Sequence, residues 1–154
     1  MLNNDIFKRL RDAFDFSNSK VIEIFALADG EVTELELSNW LKKEEDEGYV
    51  ACPDIQLATF LNGLINFKRG KKEGAQPEPE DTLNNNIVFR KLKIALNLQA
   101  DDILEILALS DFKISKHELS AFFRKAGHKH FRECKDQALR NFLHGVKLRY
   151  RKSN

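Results

Sequence analysis

Asn3-Asn4-Asp5-Ile6-Phe7-Lys8-Arg9-Leu10 near the start of the chain returns, 82 positions later, as Asn85-Asn86-Ile87-Val88-Phe89-Arg90-Lys91-Leu92. The register then holds without a gap. Glu23-Ile24 with Ala26-Leu27 aligns with Glu105-Ile106 and Ala108-Leu109, and Glu36-Leu37-Ser38 with Glu118-Leu119-Ser120. Cys52, Asp54, Leu57, Phe60-Leu61, Gly63 and Arg69 align with Cys134, Asp136, Leu139, Phe142-Leu143, Gly145 and Arg151. A period this long marks a duplicated domain rather than a short-repeat solenoid. The predicted organisation is a first repeat over residues 1–70, a flexible linker over 71–83 and a second repeat over 84–154.

The apolar spacing inside each repeat is helical. Ile6, Phe7, Leu10, Ala13 and Phe14 recur at three- and four-residue intervals, which predicts a helix from about Asn4 to Phe14 and its partner from about Asn86 to Leu96. A second helix is expected after Ser17–Ser19, burying Val21, Ile24, Phe25 and Ala28. Its counterpart opens with Asp101-Asp102, acids suited to a helix N-terminus. The third carries a capping box in both copies, Thr33-Glu34-Leu35-Glu36 and Ser115-Lys116-His117-Glu118. Gly30 is expected to take the left-handed turn that closes the helix before it. Trp40-Leu41 and Phe122-Phe123 follow as bulky core residues. The fourth helix begins at Pro53 and carries Leu57, Phe60, Leu61, Leu64 and Ile65. Gly63 and Gly145 fall in its middle, where Gly costs about 1 kcal/mol relative to Ala; a closely packed neighbouring helix is the expected compensation. The prediction is all-α: two tandem, pseudo-symmetric repeats of about four helices each, packed together. Repeats of about 70 residues are marginal alone, so a shared core is expected.

Composition narrows the function classes. Of the 154 residues 42% are apolar and 32% charged, which suits a globule and excludes intrinsic disorder. Charged residues interrupt the N-terminus, so no signal peptide is read, and no apolar run approaches the roughly 20 residues a membrane span needs. A cytoplasmic location with no membrane partner is expected. The net charge of +1 conceals a split: residues 1–76 carry 10 Lys plus Arg against 14 Asp plus Glu, and residues 77–154 carry 15 against 10. Much of it arises where Glu44-Glu45-Asp46-Glu47 gives way to Ala126-Gly127-His128-Lys129. Opposite halves attract, within a chain or between chains, so an oligomer or an exchange of repeats is open.

Chemical constellations are sparse. Asp29-Gly30-Glu31-Val32-Thr33-Glu34-Leu35-Glu36 resembles the back half of a calcium loop, but Phe25 and Leu27 occupy the first ligand positions. His128, His130, Cys134 and His144 are zinc-type residues without paired spacing, and only the Cys recurs between repeats. Cys52 and Cys134 read as small buried residues beside helix starts rather than a disulfide. No nucleophile elbow, phosphate loop or zinc-protease motif is present, so no catalytic residue, metal or cofactor is assigned. Two recurring groups remain. Asn3, Asn4, Asn85 and Asn86 would line a ligand groove if the repeats met about a twofold axis, although a helix cap with a neighbouring turn residue is the favoured account of them. Lys68, Arg69, Lys71 and Lys72, with Arg149, Tyr150, Arg151 and Lys152, form basic helix ends suited to phosphate or partner contact, although the helix dipole alone favours cations there.

Leu2-Asn3-Asn4-Asp5-Ile6, Cys52-Pro53-Asp54-Ile55, Phe60-Leu61-Asn62-Gly63-Leu64-Ile65, Lys68-Arg69-Gly70-Lys71, Asn84-Asn85-Asn86-Ile87-Val88 and Phe131-Arg132-Glu133-Cys134 together resemble the bacterial YehS-like family. That family has a tandem duplicated helical domain and no known function. The resemblance covers nearly the whole chain and implies no reaction, substrate or cofactor. The functional expectation is therefore a non-enzymatic binding module presenting a composite surface to a protein partner. Nucleic-acid binding through the basic helix ends is one alternative, and a small-molecule or enzymatic site in the amide groove is another.

Overall fold

The structure, a computed structural model, describes residues 1–151. Eight helices and no strand occur among the described residues: α1 (Asn3–Ala13), α2 (Asn18–Leu27), α3 (Glu34–Leu41), α4 (Asp54–Arg69), α5 (Asn85–Ala95), α6 (Ala100–Leu109), α7 (Lys116–Ala121) and α8 (Asp136–Tyr150). The protein is all-α, with two tandem repeats of four helices. The capping boxes form as the sequence predicts. Thr33 Oγ1 accepts from Glu36 N at 3.1 Å while Thr33 N donates to Glu36 Oε1 at 3.0 Å, and Ser115 and Glu118 repeat the exchange.

The repeats do not sit side by side as separate bundles. α4 packs between α2 of its own repeat and α5 of the other; α8 packs between α6 and α1. Because α5 corresponds to α1 and α8 to α4, the two cross-repeat contacts are pseudo-symmetric counterparts. Apolar faces of both repeats merge into one core, from Ile6, Phe7, Leu10, Val21, Ile24 and Phe25 through to Phe142, Leu143 and Val146. Fully burying each such side chain contributes about 1.5–3 kcal/mol. Phe7 meets Trp40 and Phe60 edge-on at ring-centroid distances of 5.8 and 5.3 Å, while Phe89 stacks on Phe142 at 4.3 Å.

The mid-helix glycines sit where helices touch. A Cβ on Gly63 would lie 2.0 Å from the Ile24 carbonyl oxygen on α2, and one on Gly145 would lie 2.2 Å from that of Ile106 on α6. This is the close approach the sequence predicts. Gly30 differs from expectation: the left-handed residue closing α2 is Asp29, at φ 58°. Asp15, Asn97 and Asp111 close α1, α5 and α6 in the same way, because a short polar side chain tolerates this region. Gly30 is needed for space, since its Cβ would fall 2.3 Å from Thr59 Cγ2.

The segment joining the repeats has no regular structure but is tied down at several points. Asn66 Nδ2 donates to Gln76 Oε1 at 2.7 Å, Glu80 pairs with Lys91 at 2.9 Å, and Leu83 N donates to Asp54 Oδ2 at 2.8 Å. The last contact has a counterpart. The Met1 amino group meets Asp136 Oδ2 at 2.6 Å, so the first-turn aspartate of each long helix clasps the start of the other repeat.

Candidate functional site

The four asparagines are a correction to the sequence reading. They hold each repeat closed and line no groove. Asn4, only 2% exposed, donates from Nδ2 to the Trp40 and Val50 carbonyls at 3.0 and 2.9 Å, and its Oδ1 accepts from Cys52 N at 2.9 Å. Asn86 repeats all three bonds with Phe122, Arg132 and Cys134. Asn3 Nδ2 donates to the Cys52 carbonyl and to Asp54, and Asn85 Nδ2 donates to the Cys134 carbonyl and to Asp136. Every amide N–H is thus used within its own repeat, on the loop between the third and fourth helices and on the helix ends that flank it. The asparagines are not helix caps either. Leu2 holds the cap position of α1 without a side-chain bond, and Asn84 caps α5 by accepting from Ile87 N at 2.9 Å.

The basic helix ends separate into distinct roles. Arg151 Nη1 donates to the Asp12 carbonyl at 3.0 Å and pairs with the Asp12 carboxylate, and its other nitrogen lies 3.5 Å from Asp15. Arg69 Nη1 donates to the Ile94 carbonyl at 3.2 Å. Since Ile94 corresponds to Asp12, the recurring arginine caps the C-terminal end of the partner repeat's first helix in both copies. Its recurrence has a structural cause. Lys147 reaches Asp12 at 2.7 Å, Lys71 reaches Asp29 at 3.2 Å and Arg149 reaches Glu105 at 3.6 Å, so several of these cations already face a carboxylate. Lys72 is exposed on the linker side of α4. Lys152 lies outside the described residues.

The two long helices nevertheless bring part of their ends together. Phe14, Asp15 and Phe16 at the end of α1, Phe67 and Lys68 of α4, and Tyr150 and Arg151 of α8 line one cleft of about 460 Å³. Phe14 stacks on Phe16 at 5.4 Å and lies 5.7 Å from Tyr150, while Phe67 meets Phe16 edge-on at 5.9 Å. The Lys68 ammonium stands 4.7 Å from the centre of the Phe14 ring, and its burial there lowers its pKa from the ordinary value. The aromatic contribution from Phe14, Phe16 and Phe67 was missed by the sequence reading. Phe14 packs against the core as its helical spacing predicts, and its partly buried ring also borders the cleft.

Reactive groups elsewhere are subdued. Burial pushes the Cys52 and Cys134 thiols up to about 12, which leaves them protonated. Cys134 is buried while His128 and His130 stand exposed beside one another, with His130 N donating to His128 Nδ1 at 3.0 Å. Among the described residues no three of His, Cys, Asp and Glu gather in metal-binding geometry, and no helix is long and apolar enough to cross a membrane.

Two copies of one four-helix unit, each capping and clasping the other, define a duplicated all-α protein with a single shared core. The chain belongs to the family described as "Protein of unknown function (DUF1456)", which matches residues 3–70 and again 85–152. It is 49% identical over 150 residues to the "Uncharacterized protein YehS" of Escherichia coli (strain K12), covering 97% of this chain and 96% of that protein. No solved structure matches it.

Proposed function

We propose that the protein is a non-enzymatic cytoplasmic binding module that engages a protein partner through the face where the ends of α1, α4 and α8 converge. The observation that carries this reading is the cleft of Phe14, Phe16, Phe67, Lys68, Tyr150 and Arg151, to which both repeats contribute. Aromatic and arginine side chains supply the anchors of protein interfaces, since they bury much area with few rotatable bonds. The duplication is what creates this surface, because no single repeat holds all three helix ends.

Nucleic acid is the second reading, favoured by Lys68 standing near the exposed ring of Phe67, a surface on which a base can stack. Charge weighs against it: Asp15 lines the same cleft, and Arg151 is engaged by Asp12 and Asp15. The test places a photo-crosslinking benzoylphenylalanine at Phe67, which is 36% exposed, in cells expressing the full chain. A discrete nuclease-resistant protein adduct, lost when Tyr150 is also changed to Ala, is expected. Adducts that vanish with nuclease would establish the nucleic-acid reading instead.

A further inference from the structure

The pseudo-symmetry places a second pocket where the first repeat keeps a filled ion-pair cluster. At the end of α1, Asp12 and Asp15 supply carboxylates to Arg151, and Asp12 also meets Lys147. The neighbouring cations there are occupied too: Lys8 donates to the Lys42 carbonyl at 2.9 Å and Arg11 to Asn18 at 3.2 Å. At the equivalent end of α5 the acids are gone. Ile94 replaces Asp12 and Asn97 replaces Asp15, while the cations Arg69, Arg90 and Lys93 are retained in the positions of Arg151, Lys8 and Arg11.

These residues line an open pocket of about 400 Å³ with Phe123 at its wall. No carboxylate lines it, and among the described residues none of the three cations takes part in an ion pair. Lys93 rests 4.7 Å from the centre of the Phe123 ring, and Ile94 is 45% exposed beside it. Three cations without a carboxylate partner, next to apolar surface, call for an anionic group that carries an apolar neighbour. The pocket is open to one side, a shape that suits a side chain delivered by a larger body. Asp12-Ala13-Phe14-Asp15-Phe16 of this same chain shows what such a segment looks like: two acids, each followed within two residues by a phenylalanine, at the end of a helix.

We infer that the pocket formed by Arg69, Arg90, Lys93, Ile94, Asn97 and Phe123 receives an acidic, aromatic-containing segment of a protein partner, whose carboxylates take the place that Asp12 and Asp15 hold in the first repeat. The inference rests on the protein-partner reading and extends its surface along α4, from Lys68 to the adjacent Arg69.

The test uses the full chain labelled with nitrogen-15 and four probes: the capped peptide Asp-Ala-Phe-Asp-Phe, its version with Asn for both Asp, inorganic phosphate, and an oligothymidylate. The acidic peptide is expected to shift the amide resonances of Lys93, Asn97 and Phe123, with the Asn peptide at least about tenfold weaker, which corresponds to about 1.4 kcal/mol. The double variant I94D/N97D restores the residues of the first repeat. It is expected to fold, since Asp15 already adopts φ 53° where Asn97 has 54°, and to lose the peptide shifts. Equal shifts in wild type and I94D/N97D, equal binding of the Asn peptide, or no shift at all would overturn the inference. So would a site that responds to phosphate or oligothymidylate in preference to the peptide. A protein adduct at Phe67 with a silent pocket would sink this inference alone. Nuclease-sensitive adducts at Phe67 would sink the protein-partner reading beneath it.

Discussion

Asn4 illustrates how a polar residue in a helical repeat is kept by the backbone groups it satisfies. Its amide reaches the carbonyls of Trp40 and Val50 and the N–H of Cys52, which ties the end of α3 and the loop after it to α1. Replacing Asn4 with Ala leaves these groups unsatisfied, at about 1–3 kcal/mol for a buried group, so N4A is expected to cost about 2–3 kcal/mol in urea unfolding. N3A, at a partly exposed site, is expected to cost less. Equal, negligible losses would show that the bonds carry no weight. The cysteines beside these asparagines give a second expectation at this scale. With their thiols held near 12 by burial, Cys52 and Cys134 should resist thiol-specific reagents in the native protein and react fully in denaturant. Fast native labelling would contradict the burial.

At the scale of the element, glycines and caps were the most legible features because their signals are local. The capping boxes of α3 and α7 depend on residues three apart, and both were readable from Thr33-Glu36 and Ser115-Glu118 alone. Gly63 and Gly145 announced a close approach by being costly where they stand, though the sequence did not say which helix approaches. The structure supplies Ile24 and Ile106 as the contacts. A methyl group at Gly63 would overlap the α2 backbone, which cannot swing away as a side chain can. Gly63→Ala is therefore expected to destabilise by about 1–3 kcal/mol or more despite Ala's better helix propensity. A stabilised variant would mean that α2 and α4 are further apart. The role of the asparagines is not legible in the sequence because it is long-range. Nothing within α1 reveals that its second residue bonds a loop 48 positions away.

For the whole molecule, the duplication showed that the repeats share a scaffold but not how they join. Arg69 and Arg151 were visible as a recurring pair, and their bonds to the end of the opposite repeat's first helix depend on tertiary placement alone. Charge at that junction gives stability a pH dependence. The hydrogen bond from Lys147 above all, with Arg151 adding, holds the Asp12 carboxyl below its ordinary value against the opposing effect of burial. Asp136 is lowered chiefly by its bond from the terminal amine and then by Asn85, and Glu118 by the Ser115 backbone N–H and hydroxyl. Groups with depressed folded-state values contribute stability above the unfolded carboxylate range and lose it as pH falls through the folded values. The melting temperature is thus expected to decline from about pH 5 downward, with Asp12→Asn less stable at neutral pH and less acid-sensitive. An acid dependence unchanged in that variant would remove Asp12 from the account.

Both the shared core and the composite surface require that the repeats fold as one unit. The chain has a single tryptophan, Trp40, in the core of the first repeat, whereas helical circular dichroism reports on both. Urea unfolding followed by both signals on the same sample is the direct test, because coincident transitions define one cooperative unit. The account predicts a single midpoint shared by Trp40 fluorescence and ellipticity. Two separated midpoints, with Trp40 released while half the helical signal persists, would contradict it.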